Sequence, residues 1–279
     1  MSSLPRIDIH AHAFHPKIAA KAVAQLQEHY GIPAIGGGFW EDMVPRMQKA
    51  GLEYSSVLSA ATKPEQVEPA NNYAASLVGT PGAIPFGTIH PDYPKMDDVL
   101  AFLWDRGIHG IKLHPDFQGF RLDDPRLESF FGAVEGRFTV LVHVGDKLPP
   151  AENPSCPFKV AAIKRKFPKL ELIAAHFGGV WHWPYVVEAL KGLDILMDTS
   201  SSLFAIPQEL LEQIFHSFPI ENFLFGSDYP LFDCADERVL LQKRLNLSST
   251  QLETILTNAN RLLCVTKQCV PLSAGASAC

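Results

Sequence analysis

The chain has 279 residues, 47% hydrophobic and 19% charged, which is enough apolar material for a large core and too apolar a balance for disorder. Its 24 basic and 30 acidic side chains give a net charge of −6, which argues against nucleic acid or an anionic membrane as partner and makes a small molecule the expected one. Five cysteines, at 156, 234, 264, 269 and 279, are too few and too late in the chain for a disulfide framework and read as reduced thiols.

No basic segment followed by an apolar stretch opens the chain, and no apolar run approaches ~18 residues, so a soluble, cytoplasmic protein is expected. Eight short apolar and β-branched runs then recur in order, at 6–12, 55–60, 83–91, 108–115, 138–145, 170–177, 194–200 and 222–228. Amphipathic stretches fill the gaps: 18–29 with 41–50, then 64–78, 95–106, 125–135, 157–167, 183–191, 207–218 and 233–245. Eight strand–helix units in about 250 residues predict an α/β fold, a single-domain (β/α)8 TIM barrel spanning 1–267. Pro125 and Pro207 suit a first helical turn, where no amide hydrogen bond is needed. Thr250 with Glu253 reads as a capping box opening an extra C-terminal helix, 251 to about 265, against the outside of the barrel. A loose tail at 268–279 ends the chain. Two long connections, 30–40 with its Gly36-Gly37-Gly38 run and the proline-rich 146–157, follow strand C-termini and are candidate lids or substrate walls.

Six of the 11 histidines (His10, His12, His90, His114, His143 and His176) fall at the C-terminal ends of proposed strands, the rim where a barrel gathers its reactive groups. In Ile-Asp-Ile-His-Ala-His, strand alternation puts Asp8, His10 and His12 on one side, expected to be the barrel interior, and Ile7 and Ile9 on the other. Burying such a set without partners costs on the order of 2–7 kcal/mol per polar group, a penalty that a divalent ion removes. His143 and His176 each end a nearly continuous apolar run, and Asp228 ends another, where it is suited to bind a metal and accept a proton from water. Lys112 and His114 share a strand face. The lysine is open to three roles: holding a substrate carboxylate, pairing with Asp8 or Asp198, or bridging a second metal as a carbamate. His90 and Asp198 are candidates for orienting the central groups.

These motifs, together with Ala175-His176-x-Gly178-Gly179, Gly226-Ser227-Asp228-Tyr229-Pro230 and Asn258-Ala259-Asn260-Arg261-Leu262, resemble the amidohydrolase superfamily, in the amidohydrolase-2 branch that contains aminocarboxymuconate-semialdehyde decarboxylase. The resemblance implies that His10, His12, His143 and Asp228 bind metal. The ion would be zinc or another divalent metal such as manganese, with one or two ions left open. It makes His176 a catalytic or second-metal histidine and gives Lys112 or His114 a second-metal or substrate-binding role. A TatD-type nuclease would carry glutamate on the fourth strand, where Lys112 stands. Lys112 or Arg121 is expected to fix a substrate anion, and Trp40, Phe117, Trp181 and His182 to wall the pocket.

The expected function is hydrolysis of a C–N or C–O bond (amide, lactone or ester) in a small, carboxylated substrate by a metal-activated water, with Asp228 and His176 as catalytic groups. Nonoxidative decarboxylation on the same scaffold is the alternative, and a non-catalytic metal- or small-molecule-binding barrel a third. A homodimer is also compatible with the resemblance.

Overall fold

Each short apolar run becomes a strand buried on both faces, and each amphipathic stretch returns the chain to the same end, so that all neighbouring strands pair in parallel. The computed structural model describes residues 4–263. In chain order the elements are β1 (Ile7–Asp8), α1 (Pro16–Tyr30), α2 (Trp40–Ala50), β2 (Tyr54–Val57), α3 (Val67–Ser76), β3 (Ala83–Pro85), β4 (Gly87–Thr88), α4 (Met96–Asp105), β5 (Gly110–Leu113), α5 (Pro115–Gln118), α6 (Leu127–Val134) and β6 (Thr139–Val142). There follow α7 (Pro157–Lys166), β7 (Glu171–Ala174), α8 (Trp183–Leu190), β8 (Leu196–Asp198), α9 (Gln208–Ser217), β9 (Phe223–Leu224), α10 (Cys234–Arg244), α11 (Ser249–Thr257) and α12 (Asn260–Leu263).

The ladders run β1-β2-β3 and β4 through β9. β3 and β4 are two halves of one predicted strand, interrupted at Phe86, whose amide donates to Val57 O at 3.2 Å. The other seam joins the first strand to the last through Ile9 N to Phe225 O (2.8 Å), Asp228 N to His10 O (2.7 Å) and His12 N to Tyr229 O (2.7 Å). Eight strand positions thus close into a (β/α)8 barrel.

The interior is a cluster of strand residues, including Ile7, Ile9, Leu141, Ile173, Leu196 and Leu224, joined by Ala259 and Leu262. This corrects two expectations. Ile7 and Ile9, not Asp8, belong to the interior set, and Asp8 instead accepts hydrogen bonds from the Ser227 amide (3.0 Å) and hydroxyl (2.6 Å). The terminal segment also lies only partly on the outside: Leu252, Ile255 and Leu256 of α11 join the main core, whereas Ala259 and Leu262 beyond it pack with the interior residues. That segment is two helices, α11 and α12, because Asn258 donates to Ile220 O and Phe223 O while Asn260 donates to Pro5 O, tying the break to the barrel.

The capping box is Ser248 with Gln251 rather than Thr250 with Glu253, whose carboxylate binds Arg6. Pro207 caps α9 from outside, and Pro125 precedes the N-cap of α6. Cys156 and Cys234 are buried free thiols, while the other cysteines and the predicted tail lie outside the described residues. Among the described residues no helix is long and apolar enough to cross a membrane.

Candidate metal centre and adjoining pocket

Regular strand structure in the first unit ends at Asp8; Ile9, His10 and His12 are then held by single hydrogen bonds to the chain beyond β9, and Ala11 by Ser56 and Leu58 on the other side. Released from strict alternation, His10 and His12 both turn to the mouth of the barrel. Asp228 meets them from the other side, in the left-handed region at φ 64°. His10 Nδ1 lies 2.8 Å from Asp198 Oδ2, which fixes the proton on Nδ1 and leaves the Nε2 lone pair facing the centre. Asp228 Oδ1 lies 3.6 Å from His10 Nε2 and 3.4 Å from His12 Nε2, and its other oxygen accepts from Ser201 Oγ.

That spacing is a direct test of fit. Four ligands about 2.0–2.1 Å from a tetrahedral ion stand about 3.4 Å from one another, close to the separations of Asp228 from the two imidazoles, and the three donor atoms all lie within 4.8 Å of one another. His10, His12 and Asp228 therefore fit a divalent ion once the Lys112 ammonium, 3.1 Å from His10 Nε2, gives way. His143, predicted as the fourth ligand, lies beside this set: its Nε2 is 2.9 Å from Gly145 O and its Nδ1 is 2.9 Å from His176 Nε2. It also groups with His114, on which it stacks at 3.9 Å, and with Asp116. His176, another left-handed residue, has its Nδ1 2.9 Å from Ser200 Oγ, and Ser200 Oγ donates in turn to Asp198. Asp198 thus orients His10, His176 and Ser200 together, as anticipated for an orienting carboxylate.

Burial is the dominant electrostatic influence on the site. It lowers the imidazole pKa values, that of His12 to about 3 and that of His176 to about 4, so both offer neutral nitrogens. Burial also raises the Asp228 carboxyl, against the pull of His12, Ser201 and Lys112. Lys112 is fully enclosed, with Nζ 3.1 Å from His10 Nε2, and burial brings its pKa down to about 8 despite Asp228 and Asp198.

Beside these groups opens a pocket lined by Tyr30, Ile32, His143, Lys147, His176, Val180, Trp181, Ser201, Phe204, Asp228 and Leu231. Trp181 is the one predicted wall residue in it. Trp40 is instead buried in the main core, because the first turn of α2 packs inward. Phe117 lies behind Tyr30, at 5.9 Å between rings, and His182 is held by Leu148 O at 2.7 Å. Arg121 pairs with Asp123 at the surface, outside the lining, and His90 is 3.1 Å from Gln118 O, away from the centre. Connection 30–40 is pinned rather than free: Tyr229 Oη donates to Asp42 at 2.6 Å and accepts from the Gly38 amide at 3.1 Å.

The barrel thus gathers neutral imidazoles and a carboxylate that could hold a metal ion at the C-terminal ends of its strands, the face where this fold carries its sites. The chain belongs to the amidohydrolase family, whose model matches residues 7–263. Solved structures share the fold. An uncharacterised TIM-barrel protein of Bordetella bronchiseptica is 19% identical at a TM-score of 0.77, the alignment covering 94% of this chain and 99% of that one. A dihydroxybenzoic acid decarboxylase from a Polaromonas species, solved with manganese and the inhibitor 2-nitroresorcinol, is 14% identical at 0.68 and covers 96% and 98%. A Pseudomonas putida protein assigned as a 2-pyrone-4,6-dicarboxylic acid hydrolase is 13% identical at 0.63 and covers 95% and 99%. No protein of curated function matches the chain.

Proposed function

We propose that the protein is a metal-dependent hydrolase of a C–N or C–O bond in a small, carboxylated and largely apolar substrate. The observation that carries this reading is the group of three donors, His10, His12 and Asp228, of which Asp228 lines a pocket that mixes apolar walls with one lysine. His10, His12 and Asp228 would hold the divalent ion, which would supply Lewis acidity toward water and a substrate oxygen.

The chain's own groups divide the remaining work. Asp228, held by Ser201, accepts a proton from water on the side facing His12. Asp228 then returns that proton to the leaving group, while the neutral, mutually hydrogen-bonded pair His143 and His176 lines the same pocket and positions the leaving atom. Lys147, at the mouth, pairs with the substrate carboxylate, the role expected of Lys112 or Arg121. Ile32, Val180, Trp181, Phe204 and Leu231 exclude water from the body of the substrate.

The same apolar lining also supports decarboxylation, because a carboxylate deprived of water is destabilised relative to the neutral product. The experiment is a panel of lactones, amides, esters and aromatic acids, including 2,6-dihydroxybenzoate and 2-pyrone-4,6-dicarboxylate, with metal content measured alongside. Water uptake without CO₂ marks the hydrolase, and CO₂ release without water uptake marks the decarboxylase. His10→Ala is expected to lose bound metal, and Asp228→Asn to lose at least about 100-fold in turnover. Wild-type metal content and turnover in both variants would overturn the proposal.

A further inference from the structure

Tyr30 ends α1 and was not singled out by any sequence motif, yet it lines the pocket with His143, His176 and Asp228. Its hydroxyl lies 3.2 Å from His114 Nε2. The direction of that bond follows from the other side of the imidazole ring. His114 caps α5, and its Nδ1 accepts from the Phe117 amide at 3.4 Å, so the proton of the neutral ring sits on Nε2 and points at Tyr30. Burial and the neighbouring His143 and Lys112 keep that ring neutral. His114 is itself fixed, because Gln118 Oε1 accepts from its amide at 2.7 Å while Gln118 Nε2 donates to Ala61 O and Ile89 O.

The Tyr30 oxygen is therefore an acceptor toward His114, and its own proton remains. Among the described residues no acceptor takes that proton. Burial and the carboxylates of Asp228, Asp146 and Asp116 hold the phenol well above its ordinary pKa, so the proton stays in place at neutral pH.

We infer that Tyr30 donates a hydrogen bond to an oxygen atom of the substrate, with His114 as the positioning residue that aims it. The inference rests on the pocket being the substrate site. The ligand it implies carries a carbonyl, carboxylate or phenolate oxygen close to the Asp228 side of the pocket. Such a donor, already oriented before the substrate arrives, stabilises charge that develops on that oxygen.

The test uses salicylate, whose fluorescence reports its own binding, on the metal-loaded full-length protein. Tyr30→Phe is expected to weaken salicylate about 10-fold, with metal content and melting temperature unchanged. Against the substrate found by the panel it is expected to lower kcat/KM about 10- to 100-fold. His114→Ala is expected to weaken salicylate less than Tyr30→Phe does, and His114→Gln, which keeps a donor, to restore part of the loss. Salicylate binding in Tyr30→Phe equal to wild type overturns the assignment, as does no binding by the wild type. Asp228→Asn separates the two readings: turnover persisting there overturns the proposed function, whereas turnover lost there with salicylate unaffected by Tyr30→Phe overturns the Tyr30 assignment alone.

Discussion

Lys112 places a buried cation against the nitrogen that a metal would use. Its Nζ lies 3.1 Å from His10 Nε2, and neither the lysine nor the imidazole is reached by solvent. Opposite charges at about 4 Å and an effective dielectric near 20 interact by about 4 kcal/mol, and like charges repel as strongly, so an ammonium there opposes a divalent ion. Lys112→Met is accordingly expected to tighten manganese or zinc at least about 10-fold at neutral pH, measured by competition with a fluorescent chelator. Weaker binding would mean that the lysine contributes to the metal site instead. The histidines, Asp228 and this lysine were legible because each interrupts an apolar run at the end of a strand, where a polar group is costly without a purpose. Tyr30, Lys147 and Phe204 carried no such mark. They reach the pocket through the ends of helices and loops, whose approach to the site is set by packing far away in sequence. Trp40 shows the converse, since its place after a glycine-rich connection suggested a wall while its apolar ring joined the core.

At the level of elements, the alternation of strands and helices was readable from pattern alone, whereas strand lengths were not. Predicted strand 6–12 keeps regular pairing, with β2, only over Ile7–Asp8, and goes on as isolated bridges of Ala11 to Tyr229 and of His12 to Leu58. The turn beyond β6 shows what such irregular backbone does for the site. Gly145 has φ +86°, and a Cβ there would stand 2.2 Å from Val180 O. Its carbonyl also holds His143 Nε2, and the Val180 amide donates to Val144 O at 2.9 Å, so one close backbone crossing fixes both an imidazole and the Val180–Trp181 wall. Gly145→Ala meets the left-handed penalty and the backbone clash together, an expected cost of about 2–4 kcal/mol. Chemical denaturation measures that loss. A variant as stable as wild type would show that the crossing is loose enough to give way.

On the scale of the whole molecule, closing the barrel between its first and last strands brings carboxyls from distant parts of the chain under α10. Asp8 from β1 and Asp228 from beyond β9 both raise the pKa of Glu237, which comes from α10 itself. Glu237 is 5% exposed and has one oxygen without a hydrogen-bond partner. Burial first, then Asp228, Asp8 and Asp236, raise its pKa from 4.5 to about 8, and burial raises Asp8 to about 7. The folded state thus binds protons that the unfolded chain has released. Stability from these groups is full below their unfolded pKa values and is lost as pH rises through the folded ones. A shift of this size corresponds to about 4–5 kcal/mol per group at its upper end. Glu237→Gln removes the ionisation and is expected to raise the melting temperature near about pH 8.5 while changing it little near about pH 5. Thermal melts of both proteins across that range measure the difference directly, and an equal shift at every pH would show that the glutamate carries its charge in the fold. Bound metal adds a further dependence, because positive charge at Asp228 weakens the field that holds the proton on Glu237. The fall in stability from Glu237 is therefore expected to end at a lower pH and to be smaller when metal is added, and to regain its full span when a chelator removes it.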